Sequence, residues 1–103
     1  MSFSVRYSAS ARDDLKRLYG HLLERSTTIE DLALAERALD AVVNAVQGLS
    51  RSPFICRKAG ASPFLRELLI PFGGAGYVAL YEIKDAAHVM VLAVRHQLED
   101  DYH

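Results

Sequence analysis

The side chains best suited to chemistry in this sequence are cationic, and they fall in two places. Arg57 and Lys58 lie in a stretch containing Pro53, Gly60 and Pro63, and Arg66 follows just beyond it. With Arg51 they form the one basic concentration in the chain, uninterrupted by an acid until Glu67. Arg95 and His96 come later, at the end of an apolar run that begins near residue 88. A guanidinium can hold a phosphate or a carboxylate through paired hydrogen bonds. An imidazole is the side chain best placed to exchange a proton near neutral pH. The five residues Arg57, Lys58, Arg66, Arg95 and His96 could therefore bind an anionic target, and His96 could act as a general acid or base.

Each also has a quieter reading. Arg57 and Lys58 could be a solvated loop, although loops carry function more often than frameworks do. Arg66 could pair across strands with an acid such as Glu82. Arg95 could pair with Glu99 or Asp100, an exposed contact worth ~0–1 kcal/mol. His96 could cap a strand by hydrogen bonding to the tail. Tyr77 and Tyr81 read as core residues rather than stacking platforms, and Cys56 reads as inert.

The charge balance limits the partners. Twelve Lys and Arg against thirteen Asp and Glu give a net charge of −1, with a pI near 6.4. Proteins that hold nucleic acid by its phosphates usually carry a clear positive excess, so any such role would rest on a local patch. One cysteine excludes an internal disulfide and suggests a reducing, cytoplasmic compartment. The four histidines match no metal-site spacing, and no cofactor is expected. No signal peptide or membrane span is legible.

The elements that must position these residues follow from periodicity. At 103 residues the chain is one domain, residues 1–103, large enough for its own core. Residues 3–7 alternate as a short strand. Ala11, Leu15, Leu18, Tyr19, Leu22 and Leu23 then fall on one helical stripe, with Ser10 and Asp13 as a capping box and Ser8 as its rival. A second helix runs from Ile29 or Glu30 to Val46 or Leu49, capped by Thr28 with Asp31 or by Thr27 with Glu30. Its stripe is Leu32, Ala35, Leu39, Val42, Val46 and Leu49. Residues 51–63 are a loop. Three strand-like runs follow, residues 65–72, 77–83 and 88–96, separated by Gly73, Gly74 and Gly76 and by Lys84, Asp85 and Ala86. Alternation sets Val89, Val91 and Ala93 against Met90, Leu92 and Val94. Apolar on both faces, the last run is expected to be the central strand, with Leu92 buried between sheet and helices or under a partner. The expected fold is α+β, β-α-α-β-β-β, a helical hairpin packed on a mainly antiparallel sheet of about four strands. Two helices cover one face of such a sheet, and an uncovered apolar face marks a partner site.

In this order, and with these end sequences, the chain resembles the RelE/ParE superfamily of type II toxin–antitoxin toxins. The segments that carry the resemblance are SASARDDLKRLYGHL, Ser52-Pro53 after the second helix, LRELLIPF with GYVALYEI, and VMVLAVRHQLEDDYH. The resemblance implies a cognate antitoxin that folds onto the toxin. It also implies one of two activities: ParE-like members poison DNA gyrase, whereas RelE-like members cleave mRNA on the ribosome. Onto the nuclease pattern the sequence can place Arg57 or Lys58, Arg66, Arg95, His96 and Tyr102. The near-neutral charge, with only three lysines, and the acids Glu99, Asp100 and Asp101 depart from that pattern. The ParE-like branch is the one expected, with Arg57, Lys58, Arg66, Arg95 and His96 meeting the target.

Overall fold

The structure, a computed structural model, describes residues 2–98. Tyr102 and the acids Glu99, Asp100 and Asp101 lie outside the described residues. The chain forms β1 (Ser4–Tyr7), α1 (Ala9–Glu24), α2 (Ile29–Gln47), a 3-10 turn (Gly48–Ser50), β2 (Arg57–Lys58), β3 (Leu65–Phe72), β4 (Ala75–Ile83) and β5 (His88–His96). The expected α+β helical hairpin on a mainly antiparallel sheet is present. The sheet has five strands in the order β1-β5-β4-β3-β2. The extra strand is the two-residue β2, which pairs with β3 at the edge. β1 joins β5 in parallel and the other pairings are antiparallel.

The helix starts show how tertiary contacts choose between rival caps. Ser8, not Ser10, caps α1: its Oγ accepts from Ala11 N–H at 3.0 Å and donates to the Leu92 carbonyl at 3.2 Å. The bond to Leu92, 84 residues away, is one that Ser10 does not make. Thr28 caps α2 by accepting from Asp31 N–H, and the Asp31 carboxylate reaches back to the N–H and hydroxyl of Thr27. These donors hold the Asp31 carboxyl below its ordinary range.

Both helices cover the same face of the sheet. Ala11, Ala38, Val42, Val46 and Leu49 pack on Ile70, Tyr77, Ala79, Tyr81, Ile83, Val89, Val91 and Val94. The small residues of α2 let it sit close to the strands. The other face, here called the open face, carries no helix. The register places Val78, Leu80 and Glu82 of β4 there, with Leu65, Glu67 and Leu69 of β3, and Met90, Ala93 and Arg95 of β5.

Three expectations about β5 need correction. The middle strand is β4, because β3 and the short edge strand β2 extend the sheet on its far side; β5 is an interior strand between β1 and β4. Strict alternation also fails. Leu80 pairs with Ala93 but Tyr81 pairs with Val91, so Leu92 is an extra residue in a β-bulge. Val89, Val91 and Val94 therefore share the helix-covered face, while Ala93 moves to the open one. Leu92 itself is half-buried, not a core residue. The bulge's backbone groups are satisfied from α1 and its cap: Ser8 takes the Leu92 carbonyl, and buried Asp14 accepts from Val94 N–H at 2.8 Å.

Candidate target-binding site

The bulge decides where the two residues at the end of β5 go. Arg95 pairs opposite Val78 on the open face. Its Nη1 donates to the carbonyls of His96 and Gln97 at 3.3 and 3.4 Å, which turns the guanidinium toward the strand end. His96 pairs opposite Tyr77 on the helix-covered face, and the two rings meet edge to face at 5.5 Å. Nδ1 of His96 accepts from Leu98 N–H at 3.2 Å, so in the neutral ring the proton sits on Nε2. Adjacent strand residues face opposite ways, and these two candidates accordingly serve different surfaces.

The basic segment divides in the same manner. Arg57 stands opposite Glu67 on the open face and points Nε and Nη2 at one carboxylate oxygen, each at 3.0 Å. Lys58 is exposed and stands opposite Arg66, on the other face. Arg66 does not pair with Glu82, which meets Lys84 at 2.9 Å instead. The register puts Arg66 opposite Tyr81, on the face away from Glu82. Its guanidinium donates to the carbonyls of Pro63, Phe54 and Cys56 at 2.8, 2.9 and 2.7 Å and lies 5.4 Å from the Phe54 ring centre. Arg66 is thus tied into the 53–63 loop. Tyr81 helps from the core by donating its hydroxyl to the Pro53 carbonyl, and burial pushes its phenol pKa up.

The candidates therefore do not form one cluster. Arg57 and Arg95 share the open face, three strands apart, which is about 14 Å at ordinary strand spacing. Between them lie the apolar side chains of Leu69, Val78 and Leu80. Arg66 and His96 are on the covered side, four residues apart along β4 and two strands apart across it, about 16 Å. Among the described residues no group of His, Cys, Asp and Glu comes together to hold a metal. No described helix is long and apolar enough to cross a membrane.

Sequence reasoning missed one residue that positions the site, Asp14, and named Gly76 only as one of the glycines between two strands. Asp14 anchors β5 to α1, and its signal was visible: it is a carboxylate three residues after Ala11 and four before Leu18, on the apolar stripe. Gly76 has φ +138°, and a Cβ there would stand 2.2 Å from the Ile70 carbonyl oxygen. Its own carbonyl accepts from Gln97 N–H at 2.8 Å, just past His96.

A helical hairpin on one face of a five-stranded sheet is the fold expected of a RelE/ParE-type toxin. Residues 5–101 match the family described as ParE toxin of type II toxin-antitoxin system, parDE, and the chain belongs to it. Two curated relatives from Caulobacter vibrioides are similar over nearly their whole lengths. Toxin RelE3 is 32% identical over 96 residues, covering 93% of this chain and 96% of its own. Toxin RelE1 is 34% identical over 99 residues, covering 96% and 98%. A solved structure titled "Chromosomal ParDE TA system from P. aeruginosa" shares the fold, with a TM-score of 0.72 at 18% identity, over 92% of this chain and 96% of that one. The protein is the toxin of a type II toxin–antitoxin system, and a cognate antitoxin is its implied partner.

Proposed function

We propose that this toxin acts by binding DNA gyrase through the open sheet face, with Arg57 and Arg95 as the charged contacts and Leu69 and Leu80 as the apolar groups between them. The observation that carries this reading is the division of Arg95 and His96 between opposite faces. Cleaving RNA through its 2′-oxygen needs a proton acceptor, a stabiliser of phosphate charge and a proton donor around one phosphorus. His96 and Arg66 are far apart on one side, and Arg57 and Arg95 are on the other. Two cations framing an apolar strip instead suit a protein surface with matching acids. The net charge of −1 supports the same choice.

A second reading has its own support: the curated relatives carry RelE names. In that reading the toxin is a ribosome-dependent mRNA endonuclease, with Arg66, Arg95, His96 and Tyr102 around the scissile phosphate. The test of the first reading is to titrate purified gyrase with the toxin and follow supercoiling. Inhibition that weakens in Arg57→Ala and Arg95→Ala is the expected result. Undiminished supercoiling at saturating toxin would reject gyrase as the target.

A further inference from the structure

At the His88 end of β5, away from His96, the loop after α2, the start of β1 and the β4–β5 turn form a pocket of about 580 Å³. Phe3, Phe54, Phe64 and Ile83 are its walls, and Lys84, Asp85 and Ala86 its rim. Phe54 and Phe64 meet edge to face at 6.4 Å, and both are half-exposed. Ile55 follows Phe54 but does not line the pocket; it stands out as a knob, 82% exposed. The loop that carries this knob is tied down. Arg66 donates to the carbonyls of Pro63, Phe54 and Cys56, and Tyr81 donates to that of Pro53. Little ordering of the loop therefore remains to be done on association. Lys84 and Asp85 have partners within the chain, Glu82 and His88, yet both side chains remain about half-exposed.

We propose that this patch is an interface between two copies of the chain, in which Ile55 of each copy enters the pocket of the other. An apolar knob and an apolar pocket carried together are complementary to a second copy of themselves, which is what a two-fold interface requires. The rim repeats the pattern in charge. A cation and an anion on adjacent residues can face the same pair reversed across the axis, Lys84 to Asp85 and Asp85 to Lys84. A strongly acidic or basic partner fits less well, since the two rim charges cancel. Phe54, Ile55 and Phe64 are large apolar side chains exposed together, a kind of patch that marks an association site. They are few beside the roughly 20–30 residues a side of a standard interface. The pair should accordingly form at high concentration and part on dilution. The inference goes beyond the proposed function and does not rest on it, because the patch contains none of the proposed gyrase contacts.

The test is sedimentation velocity on the full chain over a dilution series. The native chain should pass from dimer to monomer as it is diluted, with no larger species. Ile55→Ser should weaken association at least about tenfold, because the burial of one isoleucine in each of two pockets is lost. Its melting temperature under dilute, monomeric conditions should match that of the native chain, since Ile55 is exposed in the single copy. Ile29→Ser removes an equally exposed isoleucine, at the start of α2, and should leave the dimer intact. Ala86→Trp, which fills the mouth of the pocket, should also give a monomer. A mixture of the Ile55→Ser and Ala86→Trp chains should associate again, because one keeps the pocket and the other keeps the knob. A native chain that is monomeric at every concentration would overturn the proposal. So would a dimer that survives Ile55→Ser or Ala86→Trp, an equal loss in Ile29→Ser, or a mixture no more associated than its two components. Growth beyond the dimer would overturn the two-fold arrangement.

Discussion

The Asp14 carboxylate accepts the Val94 N–H at 2.8 Å, a bond between residues 80 positions apart that fastens α1 to β5 two residues past the bulge. Val94 directly precedes Arg95 and His96. Whatever fixes its backbone also fixes which surface each of them serves. Asp14→Ala would leave a buried N–H without its acceptor, at a cost of about 1–3 kcal/mol. Urea unfolding should show that loss. Target binding should fall beyond what the unfolded fraction explains, because Arg95 loses its fixed position.

Arg66 should behave as a fastener of the loop that carries Arg57. Arg66→Met removes three hydrogen bonds to carbonyls. Amide exchange across residues 53–63 should quicken while β4 and β5 remain protected. Arg66→Lys should not restore protection, since an ammonium lacks the planar fork that spans several carbonyls. Unchanged exchange in Arg66→Met would show that the loop holds itself.

Gly76 is the position least tolerant of a side chain. Its φ of +138° and the 2.2 Å approach to a backbone oxygen leave a Cβ no room. Gly76→Ala should cost more than ~2 kcal/mol, a thermal shift readily seen by calorimetry. Gly74→Ala in the adjoining turn, where nothing lies within 4 Å, should cost much less.

The Asp31 cap gives a pH dependence of known sign. Its folded carboxyl is held below the ordinary 3.8, chiefly by the Thr27 N–H. A depressed folded value means that the charged form stabilises the fold above the unfolded value, and that this contribution is lost as pH falls through the folded value. Stability measured from neutral pH down into that acidic range should drop more steeply for the native chain than for Asp31→Asn. Parallel curves would show that the cap contributes nothing.

The order of the elements and most of their limits were legible because 3.6-residue and 2-residue periods are strong over long segments. The bulge was not legible. Val91, Leu92, Ala93 and Val94 are all apolar, so no polar residue marks where the alternation slips, and the faces of Arg95 and His96 come out reversed. β2 is two residues long, too short for any period. Arg66 could not be placed by pattern, because its partners are carbonyls of a folded loop and not side chains. The candidate residues were therefore recognised by type, whereas their division between two surfaces required the sheet register.

The most direct test applies both target assays to the same three proteins: the native toxin, Arg95→Ala and His96→Ala. Gyrase supercoiling and cleavage of ribosome-bound mRNA are measured side by side. The expected result is supercoiling inhibited by the native chain and by His96→Ala, weakened by ~1.5–3 kcal/mol of binding in Arg95→Ala, with mRNA intact throughout. Cleavage of ribosome-bound mRNA by the native chain, abolished in His96→Ala while supercoiling is untouched, would contradict it.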